Sequence, residues 1–565
     1  MFRPNLAAVT LRSLLPLPLI IGIHTGHDGG CAISRDGEIL VACAEERLTR
    51  LKYANGWWQS LRYCLDATNA RLEDADLVVF SNSGEPLHPH FDGGLSRWAS
   101  PLPRTCSVDH HLSHAIGAFA FSNFNSAIVI VGDAGGNSDV TESVFQMERT
   151  GFERLLRSPE GRPRCQGLGT TYEAFTNFLG FTDQESGKTM ALAAYGDPAA
   201  FQEPIFVTSD RGEVVSRLHA THQWGVQEFA QRNRVALGQP FQETTSARSQ
   251  NIAAYVQSEF LRALTEVVVT ILDRHGTPET PVCLSGGIAL NCVANTKLRG
   301  LVGPRPFYPF PVSSDCGLAI GNAVYGHWLL EHEIPRPENQ SMRFGRTYTD
   351  REIALALQRP PDTIQPGRIR LGELRWHRTE DPARDAAQII AGGGIVAWCQ
   401  GPSEAGPRAL GGRSILADPR ASSVREKINQ RVKRREWFRP FGPSMLLSEV
   451  APSFGQSHRF PYMIEAPLVE PAASTVFPAC IHIDGSARVQ TVDEESSTSS
   501  FLELLRCIKG QTGSGVVLNT SFNVREPIVE SPADAVATFL SSSIDALVLG
   551  HYVCFRSVNG RTPSP

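Results

Sequence analysis

No stretch of this chain approaches the roughly 20 unbroken apolar residues that a membrane-spanning helix requires, so a bilayer is not an expected partner. There is no surplus of positive charge either: 53 Lys and Arg stand against 58 Asp and Glu, a net charge of −5 at pH 7. That balance disfavours broad attraction to nucleic acid or anionic membranes. The twelve cysteines run from Cys31 to Cys554 without a Cys-x-x-Cys pair or a tight cluster. A secreted disulfide framework and a structural zinc site are thereby excluded, and the thiols read as those of a reduced, cytoplasmic protein. A P-loop is absent too. Ser186-Gly187-Lys188-Thr189 ends like one, but the first glycine of that motif falls on position 182, where Thr182 stands.

What is present is an ordinary globular composition, 41% hydrophobic and 20% charged over 565 residues. At about 150 residues per unit this length implies two to four units rather than one core. Residues 11–23 are apolar enough to imitate a signal peptide, but Pro16 and Pro18 interrupt them and no small-residue cleavage site follows. Residues 1–18 therefore read as a poorly ordered extension. A β-branched run at 19–23 then delivers the turn Thr25-Gly26-His27-Asp28-Gly29-Gly30, followed by a hairpin around Arg35-Asp36-Gly37. About a hundred residues on, a second run at 127–131 delivers Gly132-Asp133-Ala134-Gly135-Gly136. Such a pseudo-repeat describes the duplicated core of the actin-like ATPase superfold, in which two acidic, Gly-rich turns face one nucleotide. Helical spacing marks residues 250–274 as a long amphipathic helix. Beyond about 334 the chain becomes Pro-rich, which predicts a linker with one short helix near 350–357.

Several residues could carry chemistry. His110 and His114 lie at i and i+4, one face of a helix, close enough to share a metal. Alone, the pair reads more readily as a partly exposed, His-rich helix start. Asp133 and Asp315, each in a Gly-rich turn, shift the balance toward a two-imidazole, two-carboxylate site for iron, manganese or zinc. Glu185 and Lys188 read equally as site residues between the halves or as a solvated turn before a helix at 189–195. Arg408, Arg413, Lys433, Arg434, Arg435 and Arg439, with Arg488 and Arg525 later, are embedded in Gly-Pro-Arg-Ala-Leu-Gly and Phe-Arg-Pro-Phe rather than spaced along a solvated face. They predict an anion pocket for a polyphosphate or acyl phosphate. Residues 518–523, Leu-Asn-Thr-Ser-Phe-Asn, follow an expected strand at 515–518 and supply short polar groups for a ligand or simply a turn.

Gly26 to Gly30, Glu45-Glu46-Arg47-Leu48-Thr49-Arg50, His110-His111-Leu112-Ser113-His114, Glu185 to Gly196, Gly286 to Asn295, Gly406-Pro407-Arg408-Ala409-Leu410-Gly411 through Asp418-Pro419-Arg420, Phe438-Arg439-Pro440-Phe441 and Asn519 to Asn523 occur in order. Together they resemble the NodU/CmcH-type O-carbamoyltransferases of antibiotic and nodulation-factor biosynthesis, over about residues 19–550. The resemblance implies an α/β enzyme. A duplicated actin-like, Kae1-like domain spans 19–345, a linker 346–375, and an α+β YrdC-like domain 376–565. It implies formation of carbamoyl-adenylate from carbamoyl phosphate and Mg-ATP in the second domain, and transfer to a hydroxyl of a small molecule in the first.

Carried over by motif, His110, His114, Asp133 and Asp315 would hold a divalent metal, iron first among the candidates. Gly135, Gly136, Glu185, Lys188, Ser285, Gly286, Gly287 and Asn291 would meet the nucleotide or adenylate. Arg408, Lys433, Arg435, Arg439, Arg488, Asn519, Ser521 and Asn523 would bind carbamoyl phosphate and ATP, with Lys433 also catalytic. His27, Asp28 or His111 would be the general base. Arg525 stands where the family has glycine before Glu-Pro-Ile-Val, and so alters the turn or adds a contact. The acceptor is unreadable, a homodimer is the default expectation, and nucleic acid is not an expected partner. A tRNA threonylcarbamoyl-type enzyme shares both folds but lacks support from a basic arm. A non-catalytic actin-like nucleotide sensor would leave the arginines unexplained.

Overall fold

The computed structural model describes residues 18–88, 91–158, 166–218, 222–233, 246–359, 374–495 and 498–556. Residues 1–17 of the N-terminal extension and 360–373 of the linker lie outside the described residues. The architecture is mixed α/β.

Leu19–His24 is buried at every position, which suits a strand covered on both faces at the middle of a sheet. It pairs antiparallel with Gly30–Arg35 and, on its other edge, parallel with Leu77–Ser81. Glu38–Ala44 and Thr105–Ser107 complete this five-stranded sheet. The second five-stranded sheet repeats the order and sense. Ser126–Gly132 is antiparallel to Glu142–Glu148 and parallel to Val282–Ser285, with Gly151–Arg157 and Phe307–Pro309 at the edges. The turns after His24 and after Gly132 therefore leave equivalent ends of equivalent strands.

Helices His110–Phe121 and Leu318–Glu331 share one apolar cluster with both sheets, joining Ile20 and Val79 of the first to Val129 and Val131 of the second. Close approach is what makes this possible. A Cβ on Gly22 would lie 2.0 Å from the Ala319 carbonyl oxygen, and one on Gly321 would lie 2.1 Å from that of Ser113. Asn322 stitches the layers. Its Oδ1 accepts from Ser113 Oγ at 2.7 Å, while Nδ2 donates to the Ile23 carbonyl at 2.7 Å and to Ser81 Oγ at 2.9 Å.

The C-terminal sheet has eight strands in the order Leu374–Arg378, Tyr552–Arg556, Ala546–Leu549, Val396–Cys399, Arg413–Ala417, Val516–Ser521, Gly442–Leu446, Gln490–Val492. Alternation along Val396–Cys399 separates two cores. Val396 and Trp398 face helices Pro382–Ala391 and Ser499–Thr512, and Ala397 and Cys399 face helices Asp350–Gln358 and Pro532–Ser541.

Two local expectations need correction. The strand expected at 515–518 runs on to Ser521, so Asn519, Thr520 and Ser521 are ladder residues and not a turn. The helix expected from 189 begins at Ser186, which places Gly187 and Lys188 in its first turn. No helix among the described residues is long and apolar enough to cross a membrane.

The glycine contacts yield a paired test. Gly321→Ala forces a methyl against backbone and should cost about 1–3 kcal/mol, the usual range for overpacking. Gly300→Ala, in the exposed last turns of helix Cys292–Val302 with nothing within 4 Å of its Cβ position, should be neutral or gain up to about 1 kcal/mol. Urea unfolding of both variants measures the difference.

Candidate active site

Asp109 caps helix His110–Phe121, its carboxylate accepting from Leu112 N at 2.9 Å. One turn apart, His110 and His114 meet Asp133, which follows strand Ser126–Gly132, and Asp315, which opens the short turn before helix Leu318–Glu331. The four ligand atoms lie within 4.8 Å of one another. His114 Nε2 is 3.0 Å from Asp133 Oδ2 and 3.4 Å from Asp315 Oδ1, and His110 Nε2 is 3.6 and 3.5 Å from the same atoms. His110 Nε2, His114 Nε2 and Asp133 Oδ2 are buried with no hydrogen-bond partner among the described residues.

Burial pulls the His114 imidazole down, but the Asp133 and Asp315 contacts outweigh it and raise it to about 9. Burial and Asp315 push Asp133 up, yet His110 and His114 hold it below the ordinary carboxylate range. Two buried carboxylates thus depend on imidazoles for compensation. Two imidazole nitrogens and two carboxylate oxygens, three of these atoms without a hydrogen bond, fit a borderline or hard divalent ion. The surrounding layer is also built: Ser83 Oγ donates to Asp315 Oδ2 at 2.7 Å, and His24, with Nδ1 on Ser81 Oγ at 3.0 Å, brings Nε2 to 3.6 Å from the same oxygen.

A cavity of about 540 Å³ opens beside this cluster, lined in part by His27, Asp28, Asp133, Asp315, Gly287 and Asn291. His27 places Nε2 3.5 Å from Asp315 and Nδ1 3.6 Å from Asp28. The Asp28 contact, working against burial, raises it to about 9. His111 does not line this cavity. Its Nδ1 meets Ser143 Oγ at 2.9 Å, and burial, then His110, drive it down to about 3, so it is a neutral imidazole. Gly135 and Gly136 also stay off the lining; a Cβ on Gly136 would come within 2.7 Å of the His111 ring. Ser285 is fully buried. Gly286, at φ +77, passes so near the Gly132 carbonyl that a Cβ would lie 2.3 Å from its oxygen. Asn291 caps helix Cys292–Val302 by accepting from Ala294 N at 3.0 Å.

A second cavity, about 190 Å³, is lined in part by Arg408, Arg435, Arg439, Arg488 and Ser521. Lys433 lies buried beside it. Its Nζ donates to the Ser521 carbonyl at 2.6 Å, the Asn523 carbonyl at 2.9 Å and Asn523 Oδ1 at 2.7 Å. Burial, then Arg435 and Arg439, hold Lys433 well below its ordinary range, and burial with Arg488 lowers Arg408 to about 9. Crowded guanidinium groups of this kind are relieved by an anion. Asn519 is buried away from the lining, its amide donating to the Ala409 carbonyl and Ser444 Oγ.

Arg413 belongs to the frame and not to the pocket: it donates to the carbonyls of Gly401, Gly412 and Glu530. Arg525 donates to the Arg434 carbonyl.

Gly187, Met190, Pro407 and Arg408 line both cavities. Lys188 Nζ joins the two halves there, 2.5 Å from Glu185 and 2.8 Å from Glu436. The loop carrying Arg408 is pinned by Glu404, whose Oε1 accepts from Leu410 N at 2.6 Å and Gly412 N at 2.7 Å. Arg47 Nη2, from the first half, donates to the carbonyls of Glu404 and Gly406. Sequence reasoning passed over His24, Ser83 and His482. His24 ends an otherwise apolar strand, and that position, immediately before a Gly-rich turn, was the available signal.

Residues 96–324 match the family described as carbamoyltransferase N-terminus, and residues 387–556 match carbamoyltransferase C-terminus. The chain belongs to the carbamoyltransferase family. This carbamoyltransferase is 32% identical to nodulation protein NolNO of Sinorhizobium fredii, over 95% of this chain and 80% of that one. It is 27% identical to a 3'-hydroxymethylcephem-O-carbamoyltransferase of Amycolatopsis lactamdurans, over 94% and 98%. Among solved structures, HypF of T. kodakarensis matches 56% of this chain and 48% of its own at 16% identity, with a TM-score of 0.36.

The His and Asp cluster generates a direct test. Protein equilibrated with Fe(II), Mn(II) or Zn(II) and then desalted should retain a single ion per chain by elemental analysis. His114→Ala and Asp133→Asn should lose it, while His111→Ala should keep it.

Proposed function

We propose that this carbamoyltransferase makes carbamoyl-adenylate from carbamoyl phosphate and ATP in the arginine-lined cavity, and passes the carbamoyl group to a hydroxyl of a small natural product in the larger one. The observation that carries this reading is the shared wall: two chemically different cavities have Gly187, Met190, Pro407 and Arg408 in common. An acyl-adenylate is labile in water, and a passage enclosed by protein lets it reach the acceptor unhydrolysed. The two sheets of matching strand order support a duplicated actin-like, Kae1-like unit over 19–345, and the eight-stranded sheet supports a YrdC-like unit over 376–565.

In the first step Arg408, Arg435, Arg439 and Arg488 bind the phosphates, and their fork geometry suits two oxygens at once. Lys433, saturated by Ser521 and Asn523, sets the strand end that faces those phosphates. In the second step the acceptor hydroxyl enters the larger cavity, where Asp28 takes its proton; His27, raised to about 9 by the Asp28 contact, already carries a proton at neutral pH, and His111 does not line the cavity. A divalent ion, iron first among the candidates, held by His110, His114, Asp133 and Asp315 would supply Lewis acidity toward the carbonyl oxygen and the adenylate phosphate. The likeness to a cephem O-carbamoyltransferase supports a hydroxyl as the acceptor.

Incubation with ATP, carbamoyl phosphate and a panel of hydroxylated metabolites, followed by mass spectrometry, should show a gain of one carbamoyl group together with AMP and pyrophosphate. Lys433→Met, which leaves the Ser521 and Asn523 oxygens unpaired, should lower pyrophosphate release by about a hundredfold through misplacement of the strand end. His114→Ala should spare pyrophosphate release and abolish the carbamoylated product. Equal defects in the two variants would refute the division of labour.

A further inference from the structure

The arginine-lined cavity contains one group that the reaction above leaves idle. His482 lines it, its side chain is 9% exposed, and its Nε2 is buried with no hydrogen-bond partner among the described residues. Its Nδ1 lies 3.7 Å from Asp484 Oδ1, the range of an ion pair. Residues two apart in a flat strand stand side by side on one face; here a tight turn draws the pair closer and fixes it. His482 N donates to the Ser486 carbonyl at 2.8 Å, and Gly485, at φ +81, donates back to the His482 carbonyl at 3.0 Å. Asp484 Oδ1 also accepts from Ser486 N at 3.0 Å and from Ser486 Oγ at 2.7 Å. The Tyr195 ring stands edge-on to the imidazole, 5.5 Å between centroids at 83°. The imidazole is therefore held on two sides with one nitrogen free. Burial would raise the Asp484 carboxyl, but the His482 and Ser486 contacts bring it down to about 2, so it is ionised at neutral pH.

The chemistry proposed for this cavity needs a proton acceptor. For carbamoyl phosphate to yield an adenylate, water adds to its carbonyl carbon and the bond from that carbon to the phosphate oxygen breaks, giving phosphate and carbamic acid, which loses its remaining water-derived proton to solvent as carbamate. A carbamate oxygen then attacks the α-phosphorus of ATP, whose bond to pyrophosphate breaks. The water must surrender a proton in the first of these steps. Arginines have no lone pair to offer, and a serine hydroxyl is a weak base. Asp484 already accepts from Ser486 twice and faces the imidazole.

We propose that His482 is the general base of carbamoyl phosphate cleavage, taking the water proton at Nε2 and delivering it to the departing phosphate, with Asp484 orienting the ring. The proposal rests on the adenylate reading of this same cavity. The charged and titratable groups that face the imidazole are Asp484 on its own turn, Tyr195 beyond helix Ser186–Ala193, Arg425, whose Nη1 donates to the Ile481 carbonyl, and the arginines 408, 435, 439 and 488 lining the cavity.

The test uses full-length protein and two half-reactions. His482→Gln should release phosphate from carbamoyl phosphate at least about a hundredfold more slowly than wild type, the low end of general-base contributions. It should keep ATP–pyrophosphate exchange driven by freshly dissolved ammonium carbamate within about threefold, since carbamate bypasses the missing base. Asp484→Asn should slow phosphate release less than His482→Gln does and lower kcat with KM for carbamoyl phosphate unchanged, because it loosens the ring's orientation and leaves the arginines that bind the phosphate in place. Equal loss of both half-reactions in His482→Gln, or no loss in either, would overturn the role of His482 alone. Wild-type protein showing neither half-reaction would overturn the adenylate reading and the proposal together.

Discussion

Glu404 is the carboxylate on which the active-site geometry depends. It is 2% exposed, and burial on its own would disfavour its charge; the Arg343 guanidinium and the amides of Gly412 and Leu410 reverse that and keep the carboxyl below its ordinary range. A charge taken out of water is stable only when every lone pair is engaged. The backbone from 404 to 413 is therefore wound around it, and Pro407 and Arg408 are carried on the outside of that winding. Because Arg47 of the first half grips the carbonyls of Glu404 and Gly406, the loop is fixed to both halves at once.

The same economy of short contacts builds the other cavity. Glycines 22 and 321 bring backbone to backbone where a methyl group would collide, and Asn322 closes the polar gaps that result. Ser83, its hydroxyl hydrogen given to Asp315 Oδ2, is left to accept from His24 Nε2 at 3.3 Å, so His24 Nδ1 accepts from Ser81 Oγ. This tautomer turns an Nε2 hydrogen toward Asp315. The ligand cluster is thus seated on a chain of buried hydrogen bonds reaching from Ser113 to Asp315, and each member lies on a different secondary-structure element.

Much of this was legible in the chain. The His-x-x-x-His spacing, the acidic Gly-rich turns at 133 and 315, and the order of the family motifs all depend on local sequence, and local sequence carries helix phase and turn chemistry. The misreadings have a common physical origin. Arg413 looks like its neighbours in composition, but its partners, Gly401 and Glu530, are distant or on another segment, so its burial could not be read from spacing. Asn519 to Ser521 carry turn-forming side chains, yet pairing with Arg413–Ala417 holds them in a ladder. His24 was hidden in an apolar run, and His482 in an unremarkable Ile-His-Ile-Asp. In both cases the meaning came from a partner that only folding supplies.

The wall formed by Gly187, Met190, Pro407 and Arg408 has a pharmacological corollary. A compound pairing an anionic group for the arginine basin with a hydrogen-bonding head for the imidazoles and carboxylates would have to cross only the residues that the two cavities share. Once either end is seated, the other meets its target at high effective concentration, so two weak fragments would act as one tenacious inhibitor.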